Sequence, residues 1–163
     1  MKIAIGSDHG GFDRKDFLLK SLGEDYDIVD VGVIDKEKCD YPVYAERVAR
    51  MVSDGRADFG ILVCTTGIGM SIAANKIKGI RAALVCDPER ARLTRQHNDA
   101  NVLCLAGSSQ FMADSDAFKI ANIFLETDFI GNNPGEERHV RRVGQIKTLD
   151  EGSTIQKGEE WQI

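Results

Sequence analysis

ADFGILVCTTGIGMSIAANKIKGIRAALVCD, residues 57–87, is the stretch that decides the fold. It opens with Phe59–Cys64, a short and nearly continuous apolar run of the kind found in strands buried on both faces of a parallel sheet. A Thr-Thr-Gly turn follows, then a helical pattern at Ser71–Lys76, then a second apolar run at Arg81–Val85. Working outward, the same alternation recurs. Lys2–Gly6, Asp27–Val31 and Val102–Ala106 read as further strands. Tyr44, Val48, Met51 and Val52 share one helical face, as do Ala117, Ile120, Ala121 and Phe124. Asp87-Pro88 reads as an N-cap with proline in the first helical turn. Five strands joined by helical crossovers predict a doubly wound α/β sheet, parallel throughout.

Such sheets bind ligands outside the carboxyl ends of their strands. That rule singles out Ser7–Gly11, Cys64–Met70, Cys86–Asp87 and Gly107–Ser109. The strongest of these is Cys64-Thr65-Thr66-Gly67-Ile68-Gly69-Met70, where a buried strand enters a helix. The junction offers backbone N–H groups to an oxyanion or a phosphate, and a cysteine there can serve as a thiolate base. It is equally the profile of a buried cysteine ending a strand. A cysteine-dependent phosphatase would close this loop with arginine, and none occurs before Arg81. The Gly-Lys-Ser/Thr of a phosphate-binding kinase loop is absent, and Gly6-Ser7-Asp8-His9-Gly10-Gly11 has the wrong glycine spacing for a dinucleotide.

Three weaker clusters accompany this loop. Asp8-His9 can orient a sugar hydroxyl or bind phosphate, though Asp8 is as readily a helix N-cap. His97, within Arg95-Gln96-His97-Asn98-Asp99, can act as a general acid or base or simply face solvent. In Arg138-His139-Val140-Arg141-Arg142, Arg138 and Arg142 stand at helical spacing i, i+4, fit to clamp a phosphate or to form a solvated charged face. All three histidines of the chain fall inside these clusters.

Composition sets the background. The chain has 163 residues, of which 42% are apolar and 29% charged, with a net charge of −5. That balance suits a soluble globular protein, and the acidic charge gives no reason to expect nucleic acid or a membrane surface as partner. No apolar run approaches the roughly 20 residues of a membrane span. MKIAIGSDHGG enters a strand without the long apolar core of a signal peptide. Cys39, Cys64, Cys86 and Cys104 are widely spaced and read as free thiols, so a cytoplasmic setting is expected. We expect a single domain over 1–163, with its core in 1–143 and a polar C-terminal extension in 144–163.

Together IAIGSDHGGF, DYPVYAERVA, the central block, ARLTRQHNDANVLCLAG and RHVRRV closely resemble the ribose-5-phosphate isomerase type B family, which includes the galactose-6-phosphate isomerase subunits. The stretches run in family order to about Val143. The resemblance implies a Rossmann-like three-layer subunit with a C-terminal helix. It also implies a homodimer with active sites at the subunit interface, pairing into tetramers being left open, and no metal or organic cofactor. By matching motif, Cys64 looks like the base that moves a proton between C2 and C1 of an open-chain sugar phosphate. Thr66 and the amides of Gly67, Ile68, Gly69 and Met70 would hold the cis-enediolate. His97 resembles the residue that opens the furanose ring. Asp8 matches a position near the ring oxygen, and Asn98 a substrate contact. His9, Arg138 and Arg142 fall where the family binds phosphate, with Tyr41 lining the same site.

The resemblance makes ribose 5-phosphate the first expected substrate. The alternatives are another sugar, such as allose or galactose 6-phosphate or a free pentose, and a non-catalytic sugar-phosphate-binding subunit. Three departures bear on that choice. Thr65 replaces a common glycine, Ser108 stands where members commonly carry arginine, and Gly131–Glu137 is longer than the usual lead into the Arg-His motif.

Overall fold

The computed structural model describes residues 1–155. Five parallel strands, β1 (Lys2–Ser7), β2 (Asp27–Asp30), β3 (Phe59–Cys64), β4 (Ala82–Leu84) and β5 (Val102–Ala106), lie in the order β2-β1-β3-β5-β4. The helices are α1 (Phe12–Leu22), α2 (Tyr41–Ser53), α3 (Ile68–Ala74), α4 (Pro88–Asn98), α5 (Asp114–Glu126) and α6 (Glu137–Asp150).

Alternation along the three central strands sorts the core into two layers. Ile3, Ile5, Ile61, Val63, Leu103 and Leu105 face one side, where Leu18 and Leu22 of α1, Ala91 of α4 and Ile120 and Phe124 of α5 cover them. Ala4, Leu62, Cys64, Val102 and Cys104 face the other, under Ala45, Val48 and Ala49 of α2 and Met70 and Ala74 of α3. The result is the expected three-layer α/β sandwich. The predicted helix of Asp87-Pro88 forms as read, with Asp87 accepting from the Arg90 N–H at 2.8 Å.

Several strand boundaries differ from the sequence reading by one residue: β1 includes Ser7, β2 stops before Val31, and β4 excludes Arg81 and Val85. At Arg81 the main-chain N–H goes to the Asn101 side chain at 2.8 Å, and the guanidinium reaches the end of α4 through Asn98 and Asp99. The extension from Gly144 opens as a helix end, since α6 runs unbroken to Asp150. The rest of that extension, 156–163, lies outside the described residues.

The strand order decides where a site can form. From β1 the chain crosses to β2 on one flank and then returns to β3 on the other, which opens a crevice between the carboxyl ends of β1 and β3.

Candidate active site

Three loops meet at that crevice through their backbones. The Asp8 N–H donates to Val63 O at 3.3 Å, and the Gly107 N–H donates to Cys64 O at 2.7 Å. Asp8 caps a single 3₁₀ turn, His9–Gly11, its carboxylate accepting from the Gly11 N–H at 3.0 Å. Glycine is required where the loops touch. A Cβ on Gly10 would stand 2.3 Å from Thr65 Oγ1, one on Gly11 2.3 Å from Val63 O, and one on Gly107 2.6 Å from Gly10 O.

Cys64 ends β3 in the middle of this assembly, 5% exposed. The Gly67 N–H donates to its sulfur at 3.2 Å, and Gly67 takes φ +77°, a left-handed conformation that reverses the chain into α3. The Ile68 N–H donates to Thr66 Oγ1 at 3.3 Å. Gly69 and Met70 lie in the first turn of α3, whose N–H groups have no acceptor within the helix. Of the predicted hole, the Gly67 and Ile68 amides are therefore engaged locally, and those of Gly69 and Met70 have no partner within the helix. Tyr41, at the start of α2, lays its ring against Gly69, where an added Cβ would come within 2.7 Å of it.

The other thiols behave differently. Cys104 is fully buried on the same face as Cys64; burial, reinforced by the charge Cys64 can carry, pushes its thiol far above the ordinary range. It is an inert core residue. Cys86 is exposed and lines an apolar cavity of about 270 Å³ with Thr66, Ile68, Ala106 and Phe111.

His9 is held from outside the motif that predicted it. The Cys39 N–H donates to His9 Nδ1 at 3.3 Å, with the Cys39 sulfur 3.8 Å from the same nitrogen. An accepting Nδ1 places the proton on Nε2, the nitrogen left to donate to an anion. Burial, and next the neighbouring Cys39 thiol, hold the Tyr44 hydroxyl above the usual phenol range. A second support went unread in the sequence. Arg14, 2% exposed, donates to the carbonyls of Met112 and Ala113 and pairs with Asp114 at 2.9 Å, tethering the loop that carries Ser108.

His97 and Asn98 are elsewhere. They end α4, which runs back from the carboxyl end of β4 to the amino end of β5, so they lie at the opposite edge of the sheet. Arg81 fixes that end by donating to Asn98 O at 3.1 Å and Asp99 O at 2.7 Å. Arg95 adds bonds to Asp99 and Ala100 O, both 2.8 Å, and stacks on Phe59 at the start of β3. Six residues of β3 separate this edge from Cys64, about 16 Å at strand rise. The His97 ring stacks on that of His139, centroids 4.4 Å apart and planes 6° from parallel. Burial, and next the neighbouring His139 and Arg138, hold the His97 imidazole below the usual histidine range, with Glu136 opposing. Arg138 and Arg142 fall at i, i+4 on α6 and are exposed, Arg138 pairing with Glu136 at 2.7 Å.

The chain thus gathers Asp8, His9, Tyr41, Cys64, Thr66 and the Gly67–Met70 turn at one edge, and His97, Asn98 and Arg138 at the other. Among the described residues, no three His, Cys, Asp or Glu side chains converge as a metal site, and no helix is long and apolar enough to cross a membrane.

Backbone donors around a strand-end cysteine at a switch point can receive an anion, and the paired histidines on the same chain can take or give protons. The family described as Ribose/Galactose Isomerase matches residues 3–146, and the chain belongs to it. Ribose-5-phosphate isomerase B of Escherichia coli (strain K12) is 42% identical over 151 residues, covering 92% of this chain and 97% of that one. YwlF of Bacillus subtilis (strain 168), 42% identical over 93% of this chain and 98% of its own length, is named only as a sugar phosphate isomerase. Among solved structures, ribose-5-phosphate isomerase B of Clostridium thermocellum superposes with a TM-score of 0.87 at 40% identity, covering 93% of this chain and 99% of that chain. The Mycoplasma genitalium enzyme, solved with ribulose 5-phosphate bound, gives 0.84 at 39% identity over 93% and 97%.

Proposed function

We propose that the protein interconverts ribose 5-phosphate and ribulose 5-phosphate, with Cys64 as the base. The observation that carries this reading is the Gly67 N–H aimed at the Cys64 sulfur, inside a cradle whose first-turn amides at Gly69 and Met70 have no partner within the helix. The sulfur takes the C2 proton of the open-chain aldose and returns it to C1, while the O2 hydroxyl proton passes to O1, so that C2 becomes the carbonyl. Charge accumulates meanwhile on the two oxygens of a cis-enediolate. Donors aimed at that developing charge supply the rate, and removing one typically costs roughly 100- to 1000-fold. Thr66 and the turn amides fill this role. His9, Arg138 and Arg142 bind the phosphate with Tyr41 alongside, which supplies binding energy remote from the reacting carbons.

Ribose 5-phosphate enters as a closed furanose, and opening it needs a further acid–base group. His97 takes the proton of the C1 hydroxyl, the C1–O4 bond breaks, the ring oxygen beside Asp8 takes a proton from solvent, and Asn98 contacts the substrate. Within one chain His97 and Cys64 stand at opposite edges of the sheet. The reading therefore requires a second subunit, whose amino edge covers the carboxyl edge of the first. A two-fold pair completes two such sites at once. Its setting in this reading is the cytoplasm, where the free thiols stay reduced.

One observation favours a second reading, isomerisation of a hexose 6-phosphate. Ser108, bonded through its N–H to Thr65 O at 3.2 Å, stands beside the Cys64 loop in place of the arginine expected there. Both readings are tested by turnover of ribose 5-phosphate, allose 6-phosphate and galactose 6-phosphate, with exchange of the C2 proton into solvent followed for each. Ribose 5-phosphate is expected to turn over with the highest kcat/KM. A hexose phosphate favoured over it would establish the second reading, and binding without exchange would sink both.

A further inference from the structure

His139 has no role in the mechanism above, yet it is built into the molecule with care. Its ring is 2% exposed, and neither nitrogen has a hydrogen-bond partner among the described residues. Nε2 lies 3.3 Å from Glu136 Oε2 without the alignment of a hydrogen bond. Burying an imidazole in this state is costly, and an apolar ring would pack there more cheaply. What the histidine contributes is its face, laid parallel on His97 at 4.4 Å.

We propose that His139 is a positioning residue for His97: anchored beside Glu136 at the start of α6, its buried ring sets the plane of the His97 imidazole and confronts it with a second titratable ring. This deepens the reading of His97 as the ring-opening group and rests on it. The charged groups that face His97 are His139 and Arg138 from α6, Glu136 at its cap, and Arg92 and Glu89 on α4 itself. Two stacked imidazoles cannot both take a proton cheaply, because like charges at this distance repel. Burial, the neighbouring His139 ring and Arg138 together oppose a proton on His97 and leave it neutral. A neutral imidazole is what the C1 hydroxyl proton requires. Glu136 also holds Arg138 at 2.7 Å, so one carboxylate stands beside both the proposed phosphate ligand and the ring behind the base.

The signs can be worked out for two variants. His139→Phe keeps a flat ring but removes its charge, so His97 should take up its proton at higher pH than in the wild type. Glu136→Gln removes the one neighbour that favours the charged form, so His97 should take up its proton at lower pH. The test is an NMR titration of the His97 imidazole in the wild type and both variants, with kcat/KM for ribose 5-phosphate measured across pH. We expect the titration midpoint and the acid limb of the profile to move together, upward for His139→Phe and downward for Glu136→Gln. His139→Phe should lose about tenfold or more at pH 6 and clearly less at pH 8. Unmoved midpoints, or a loss equal at all pH values, would overturn the proposal, as would an acid limb that stays in place while the midpoint moves. Should His139→Phe fail to fold, His139→Leu, which also removes the second titratable ring, is titrated in its place, and an unmoved His97 midpoint there overturns the proposal. His97→Asn assayed on an aldotetrose 4-phosphate, whose phosphorylated O4 cannot close a furanose, tests ring opening separately. Equal losses there and on ribose 5-phosphate would remove that reading, while the NMR midpoints would still report on the stack.

Discussion

The two edges of the sheet are built by different means. At the carboxyl edge three loops interlock through main-chain hydrogen bonds and glycine contacts, and Cys64 sits among them nearly sealed from solvent. At the amino edge the work is done by side chains: Arg81, Arg95 and Asp99 bolt down the end of α4, and His139 backs His97. A backbone cradle places donors with little freedom to move, which suits charge stabilisation. An assembly of side chains can be tuned by its neighbours, which suits a group that must change protonation state. The proposed chemistry divides along the same line, and each half needs the other from a different subunit.

The largest effect expected is at the sulfur. Cys64→Ala should lower kcat by roughly a thousandfold or more, the scale of a lost acid–base group, without unfolding the protein. A variant with wild-type turnover would remove the base assignment. The pairing of edges is tested by mixing Cys64→Ala with His97→Asn after denaturation and refolding together. Each protein alone should be inactive on the furanose. The mixture should recover about a quarter of wild-type activity, because half the dimers are mixed and each has one intact site. No recovery would mean that both residues serve the same site from the same chain, or different sites.

Glycine substitutions sharpen the contrast in construction. Gly11→Ala would place a methyl group 2.3 Å from a backbone carbonyl that cannot yield cheaply. The turn carrying Asp8 and His9 must shift, and a misplacement of about 1 Å can cost roughly 100-fold in rate. Gly144, on exposed α6, has nothing within 4 Å of an added Cβ. Gly144→Ala should leave kcat unchanged and raise stability by about 0.5–1 kcal/mol through helix propensity, read as a higher denaturant midpoint. Comparable losses of activity for the two would contradict the division between a rigid and an adaptable edge.

The sheet and its carboxyl edge were readable in the sequence because their signals are local. Phe59–Cys64 and Val102–Ala106 announce themselves as continuous apolar runs, and the switch-point rule then directs attention to Ser7–Gly11 and Cys64–Met70. What could not be read joins distant parts of the chain. Arg14 meets the carbonyls of Met112 and Ala113 across nearly a hundred residues, and Cys39 fixes His9 through a main-chain N–H that any residue type would supply. His139 is buried, although its flanking arginines read as a solvated charged face. The separation of His97 from Cys64 was implicit in the alternation of strand and helix. A helix returning from one strand's carboxyl end must finish at the next strand's amino end, which puts His97 at the far end of the sheet from Cys64.

The smallest predicted effect concerns the loop that links the cradle to the phosphate. Ser108 donates its N–H to Thr65 O, and its hydroxyl accepts from the Gln110 N–H at 3.3 Å. An arginine here loses the second bond but keeps the first, which the main chain makes to the Cys64 loop. If the phosphate of ribose 5-phosphate reaches this loop, Ser108→Arg should lower KM several-fold with kcat little changed, because a fixed cation adds binding shared by ground state and transition state. Added salt should erase part of the gain. An unchanged KM would place the phosphate wholly on His9 and the α6 arginines. A raised KM for ribose 5-phosphate with a lowered one for a hexose 6-phosphate would show instead that Ser108 holds open space for a longer sugar, and the choice of substrate would then lie at the carboxyl edge, on the loop that Arg14 tethers.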